Sequence, residues 1–208
     1  MDRVHWSWAT SVDEADRYRV EARALVGRQL GRIRYFDIDY RAEQYRRDHV
    51  GPRTIESEVE CVEPTWSHPA CDSIDHAVEL ETSDGARFTV SWHSPGMAEG
   101  LGLRELRAIG NAVRDDADVA VWDVSDTNRW KSVRDAEVTS VEMHYQPWGD
   151  SDGHLWCPWI TIELGGHAIE FVLAEGDPAN NSVRPSSDNI AVIFDKASLP
   201  SWLFDRHR

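Results

Sequence analysis

The sequence predicts a mainly β (α+β) protein: an N-terminal helix followed by two pseudo-repeated antiparallel β units packed as one domain. Three observations carry this prediction. Apolar and polar residues alternate with period two through most of the chain beyond residue 30. Asp84-Gly85 and Gly165-Gly166 each lie between two such runs, which marks a tight hairpin. A helical three- and four-residue apolar spacing with a clear start signal occurs near the N terminus.

Taken in order, Trp6 and Trp8 flank Ser7 in alternation, as in a short extended arm. Ser11 with Glu14 three residues on forms a capping-box pattern, and Asp13 and Asp16 lie near the positive end of the helix dipole. Ala15, Tyr18, Ala22, Leu25 and Val26 then make one apolar stripe, which Gly27 ends. Ile33, Tyr35 and FDIDY (36–40) alternate as a half-buried strand does, and VECV (59–62) is a weaker strand. HAVELETSDGARFTVSW (76–92) is the clearest hairpin, with Val78 and Leu80 before the turn and Phe88, Val90 and Trp92 after it. LRELRAIGNAV (103–113) reads as a short helix and DVAVWDV (118–124) as a strand. EVTSVEMHY (137–145) alternates imperfectly, WITIEL (159–164) and HAIEFVLA (167–174) form the second hairpin, and NIAVIFD (189–195) closes the set. Pro200 argues against a long final helix.

The two hairpins suggest an internal duplication, with repeats at 27–130 and 131–202 inside a single domain of 1–208. Each half holds a strand, a hairpin, a loop and a strand, and DVAVWD with Trp130 matches NIAVIFD with Trp202 in spacing to within one residue. No Pro/Gly/Ser-rich linker separates the halves, so two packed sheets are expected rather than two beads.

Composition narrows the function. The 208 residues carry a formal charge of −15, from 37 acidic and 22 basic side chains. The stretches 54–86 and 135–183 contain no Lys or Arg. Such a chain repels phosphate backbones and anionic membranes, so neither nucleic acid nor membrane is an expected partner. No apolar run approaches the ~20 residues of a membrane span. The N terminus lacks a secretory signal pattern, and three cysteines are too few for a disulfide framework, so a cytoplasmic location is expected. Only Lys131 and Lys196 are lysines, an arginine bias that a GC-rich bacterial genome would produce.

No catalytic motif appears: there is no G-x-S-x-G elbow, Walker A loop or complete dinucleotide fingerprint. Cys61, His68 and Cys71 offer one short ligand spacing and no clear fourth ligand, so buried or ordinary surface thiols are the simpler reading. Asp37-x-Asp39 and Asp150-Ser151-Asp152-Gly153 offer oxygen ligands, but the second is better read as a loop tip. No metal or cofactor is expected. Trp92 and Trp122 continue strand faces and belong to the core.

Two acidic, tryptophan-bearing loops stand apart, each just before a hairpin. One carries Glu56, Glu58, Glu60, Glu63 and Trp66; the other carries Trp148, Trp156 and Trp159 with Asp150 and Asp152. Loop aromatics beside carboxylates suit a protein interface with a basic partner. The alternative is that these rings cover the end of the sheet core. The expected function is therefore non-catalytic binding of a basic protein, as in an immunity-type neutraliser of a basic toxin. The alternatives are a carbohydrate-binding protein or hydrolase with a Trp-lined cleft between the sheets, and a structural subunit of an assembly.

Overall fold

Val78 and Leu80 pair with Val90 and Phe88 across the first hairpin, and all four side chains are buried. The Asp84-Gly85 turn places Gly85 at φ +86°, a conformation open to glycine and strained for most other residues. In the computed structural model, which describes residues 8–41, 51–55, 64–93, 99–114, 117–149 and 153–204, this hairpin joins β5 (Ala77–Thr82) to β6 (Arg87–His93). The second hairpin joins β12 (Trp159–Leu164) to β13 (His167–Asp177) around Gly165-Gly166, with Leu164 opposite His167.

The remaining strands are β1 (Trp8–Ala9), β2 (Leu30–Ile38), β3 (Arg53–Ile55), β4 (Asp72–Ile74), β7 (Gly100–Glu105), β8 (Val119–Asp123), β9 (Val138–Met143), β10 (Gln146–Pro147), β11 (Leu155–Trp156) and β14 (Ser182–Ile193). They form a six-stranded sheet in the order β3-β8-β2-β5-β6-β7 and a five-stranded sheet in the order β4-β14-β13-β12-β9. A small third sheet runs β1-β11-β10. Among the described strands, pairing is antiparallel except between β3 and β8. Among the described residues the fold is thus mostly β with one substantial helix, as the alternation predicts.

The N-terminal helix, α1 (Val12–Ala22), starts where the capping pattern places it: the Glu14 N–H donates to Ser11 Oγ at 3.2 Å. The Glu14 carboxylate closes the cap one residue earlier than a standard box, accepting from the Thr10 N–H at 2.9 Å. Ala15, Tyr18, Ala22 and Leu25 are buried, but Val26 is exposed. A 3₁₀ turn over Arg23–Leu25 ends the helical phase, and Val26 leaves in an extended conformation. The helix lies between the edge strands β7 and β9. Arg19 donates to the Met143 carbonyl on one side, and Glu21 pairs with Arg104 on the other.

The two large sheets face each other across one apolar core. Ile33, Tyr35, Phe88, Leu101 and Leu103 meet Ile160, Ile162, Phe171, Ile190 and Val192 there. Each sheet also has an outer apolar cluster under irregular chain. Ala108 and Val113 cover Phe36, Val119 and Val121, while Leu199, Trp202 and Leu203 cover Val172, Ala191 and Ile193.

One expectation is corrected, and another is left unconfirmed. Residues 103–113 are not a helix: Leu103–Glu105 complete β7, and turns follow, with Gly110 at φ +80°. Leu101 and Leu103 alternate inward as strand residues, and that tertiary burial overrides the weak helical spacing. The duplication is not confirmed either. DVAVWD, as β8, pairs with β2, whereas NIAVIFD, within β14, pairs with the hairpin strand β13, so the matched segments hold non-equivalent places. Moreover β4 precedes the first hairpin in sequence but pairs with β14, crossing to the second sheet. VECV (59–62) and Trp6 lie outside the described residues. No helix among the described residues is long and apolar enough to cross a membrane.

Candidate functional site

Side-chain alternation in the small third sheet sets its two faces. Trp8 pairs with Trp156 and Ala9 with Leu155. Ala9 is fully buried and Leu155 packs on the core; alternation sets Trp8 and Trp156 on the other face, where Trp156 is also partly buried against the core. Trp148 follows directly after β10, and its N–H donates to the His154 carbonyl at 3.0 Å, folding the segment back on itself. Its ring meets Trp8 edge-on at 5.4 Å and Trp156 at 5.3 Å, while His154 stands perpendicular to Trp8 at 6.4 Å. Trp148 is 36 % exposed. The indole N–H of Trp8 is buried with no hydrogen-bond partner.

Two of the predicted site residues, Trp148 and Trp156, are therefore brought together, and Trp8 joins them from a position 148 residues away in the chain. Trp66 is a correction. It is 7 % exposed and wedged edge-on between Tyr35 at 5.1 Å and Trp122 at 5.9 Å. Tyr35 and Trp122 are paired across β2 and β8, and the crossing segment ahead of β4 lays Trp66 against them. Its acidic neighbours suggest a surface loop, but its ring is core. Glu56, Glu58, Glu60, Glu63, Asp150 and Asp152 lie outside the described residues.

A second constellation, not anticipated from sequence, occupies the outer face of the five-stranded sheet. Glu142, Thr161 and Glu170 are directly opposite one another on β9, β12 and β13. The Thr161 hydroxyl donates to Glu170 Oε2 at 2.5 Å and lies 2.8 Å from His144 Nε2. With that one proton committed to Glu170, Nε2 of His144 is the donor to Thr161. His144 Nδ1 is 3.7 Å from Glu142 Oε1. The imidazole stacks on Trp159 at 4.1 Å, and Phe204 meets the same indole edge-on at 5.8 Å. Burial raises the Glu170 carboxyl above its ordinary range, against the opposing Thr161 hydrogen bond. Burial likewise lowers His144, while Glu142 acts in the opposite sense. The available signal was a glutamate in the middle of the apolar run Ala168–Ala174, a charge in a central strand.

Gln146 links the two constellations: its strand carries the tryptophan sheet, and its side-chain amide donates to the Leu203 carbonyl at 3.3 Å. Other buried acids serve the sandwich itself. Asp37 accepts from the Thr65 hydroxyl and, at 3.1 Å, from the Asp75 N–H. Asp72 accepts from Arg129 and from Tyr35. Cys71 and Cys157 are buried free thiols, each pushed up to about 12 by burial, and Cys61 lies outside the described residues. Among the described residues no group of three His, Cys, Asp or Glu side chains is placed to hold a metal ion. A shallow open depression is bordered by Gly85, Arg87, Glu105, Leu106 and Arg107, with no tryptophan in its wall.

No family model matches the chain, and neither a curated protein nor a solved structure is found to be similar to it.

Proposed function

We propose that this protein is a non-catalytic binding protein for a basic protein partner, of the kind that neutralises a basic toxin such as a nuclease. The observation that carries the reading is the Trp8, Trp148 and Trp156 cluster. Three indoles are gathered on a small sheet that Ala9, Leu155 and Trp156 root in the core, and Trp148 is 36 % exposed. Rigid aromatic anchors of this type slow dissociation, because little side-chain entropy is lost when they are covered. The sequence sets Asp150 and Asp152 in the connection from β10 to β11, and the whole chain carries −15. Carboxylates steer a basic partner to the site and mimic the phosphates that a nuclease would bind. The same charge disfavours nucleic acid and anionic membranes as partners. Buried free thiols suit a reducing bacterial cytoplasm, the setting we assign.

The test is co-purification of the tagged protein with products of adjacent genes, followed by titration of the purified pair at low and high salt. A basic partner whose affinity falls with salt, and falls further in Trp148→Ala, is the expected result. A partner that binds equally well at 50 mM and 500 mM salt, or none at all, would sink the proposal.

A further inference from the structure

We propose that Glu170, Thr161, His144 and Glu142 form a slot for one cationic side-chain group, a guanidinium or ammonium, of the basic partner. This rests on the protein-binding reading and names the chemistry of recognition beside the tryptophans. The starting point is an unmet hydrogen bond. Glu170 is fully buried, its Oε2 is held by Thr161, and its Oε1 has no partner. A buried acceptor without a donor is a standing cost, and a cation brings the missing donor together with the charge that favours the ionised carboxylate.

The surroundings are those of a cation receptor. Glu142, 70 % exposed, stands at the mouth beside His144. The stacked His144 and Trp159 rings and the exposed Phe204 supply aromatic surface, which attracts cations through the ring quadrupole. The cover is the last described turn, Ser201–Phe204. Two long hydrogen bonds tie it down, Gln146 to the Leu203 carbonyl at 3.3 Å and the Trp202 indole to the Val183 carbonyl at 3.5 Å. Leu203 and Trp202 also pack on Val172 and Ile193, so a seated cation must be accompanied by movement of this turn, and the β10 strand that holds one of the ties leads straight into Trp148. The charges acting on the slot from neighbouring elements are Glu163 from β12, Lys196 from the connection after β14, and Arg19 from α1. Arg19 is engaged by Asp16 at 2.7 Å. Burial keeps Glu170 prone to hold a proton and His144 prone to shed one, so seating a cation displaces the Glu170 proton and binding strengthens as pH rises.

Isotope-labelled full-length protein titrated with methylguanidinium chloride, and separately with n-butylammonium chloride, tests this. Sodium chloride at equal ionic strength is the reference, and the imidazole signals of His144 and the indole N–H of Trp159 are followed by NMR. The expected result is saturable shifts at both residues, weakened at least tenfold in Glu170→Gln and retained in Lys196→Gln. Shifts that merely track ionic strength, or that are unchanged in Glu170→Gln, overturn the slot. Saturation that appears only in Lys196→Gln also overturns it, because the chain's own lysine then fills the site. Should Glu170→Gln fail to fold, Glu142→Gln and Phe204→Ala, both at exposed positions, carry the test. Undiminished affinity in both is decisive against the slot. A partner that needs Trp148 but binds Glu170→Gln normally removes the slot and leaves the protein-binding reading standing. The absence of any partner removes that reading, while the simple cations still decide the slot.

Discussion

The Tyr35 hydroxyl donates to Asp72 Oδ2 at 2.8 Å, joining β2 of one large sheet to β4 of the other. The same hydroxyl accepts from the Trp130 indole, and Arg129 holds the second oxygen of Asp72. A fully buried tyrosine thus serves as a polar rivet inside an apolar core, with its donor and acceptor roles both filled. Tyr35→Phe keeps the ring and removes the rivet, leaving the Trp130 N–H buried without an acceptor. The expected loss is about 1–3 kcal/mol in urea denaturation. A variant as stable as the parent would mean that the network contributes nothing net.

Asp37 makes stability depend on pH. Burial raises its carboxyl to about 7, and the neighbouring Asp75 carboxyl acts in the same direction. The unfolded chain titrates near 3.9, so the native state holds an extra proton between those values. This contribution is full below about pH 4 and is lost as pH rises through about 7. At about 1.4 kcal/mol per pKa unit, the contribution is a few kcal/mol at most. Asp37→Asn mimics the protonated acid. Urea midpoints at pH 5 and pH 8 should differ less in the variant than in the parent, with the variant gaining relative stability at pH 8. An equal pH dependence in the two proteins would remove Asp37 as the cause.

The helix cap offers a local test. Ser11 Oγ satisfies the Glu14 N–H, one of the four amide groups that a helix start leaves without partners. Ser11→Ala should cost about 1 kcal/mol and Ser11→Gly only a few tenths. If alanine and glycine cost the same, the serine oxygen is not acting as a cap. Chemical denaturation of the three proteins decides it.

Legibility in the sequence followed the range of the interactions. Both hairpins could be read because the turn residues and the alternating partners lie within a few positions of one another, as Leu80 with Phe88 and Leu164 with His167 do. The start of α1 is equally local. By contrast, β4 is assigned to the second sheet through its pairing with β14, more than a hundred residues away, and no local pattern encodes that choice. The same limit hid the contribution of Trp8, which reaches the candidate site by pairing with Trp156. Trp66 misled for a different reason. Acidic residues and prolines around it describe the chain's neighbourhood in sequence, but Tyr35 and Trp122 form its neighbourhood in space. Glu170 was overlooked because counting carboxylates in an acidic chain hides the one placed at the centre of a sheet.

The contrast between Trp66 and Trp148 separates folding from binding. Trp66→Ala empties a site between two buried aromatic rings and should cost about 3–5 kcal/mol of stability. Its folded fraction should retain the parent's affinity for a basic partner. Trp148→Ala removes a ring already 36 % exposed, with two edge contacts worth together about 1–2 kcal/mol. If Trp148 is an interface anchor, covering it is worth more than holding it in the free protein. Affinity should then fall by at least about 2 kcal/mol, roughly thirtyfold. Denaturation midpoints and calorimetric affinities for both variants give the two axes. A Trp148→Ala protein that is destabilised yet binds like the parent would place this tryptophan, like Trp66, among the residues that only close the core.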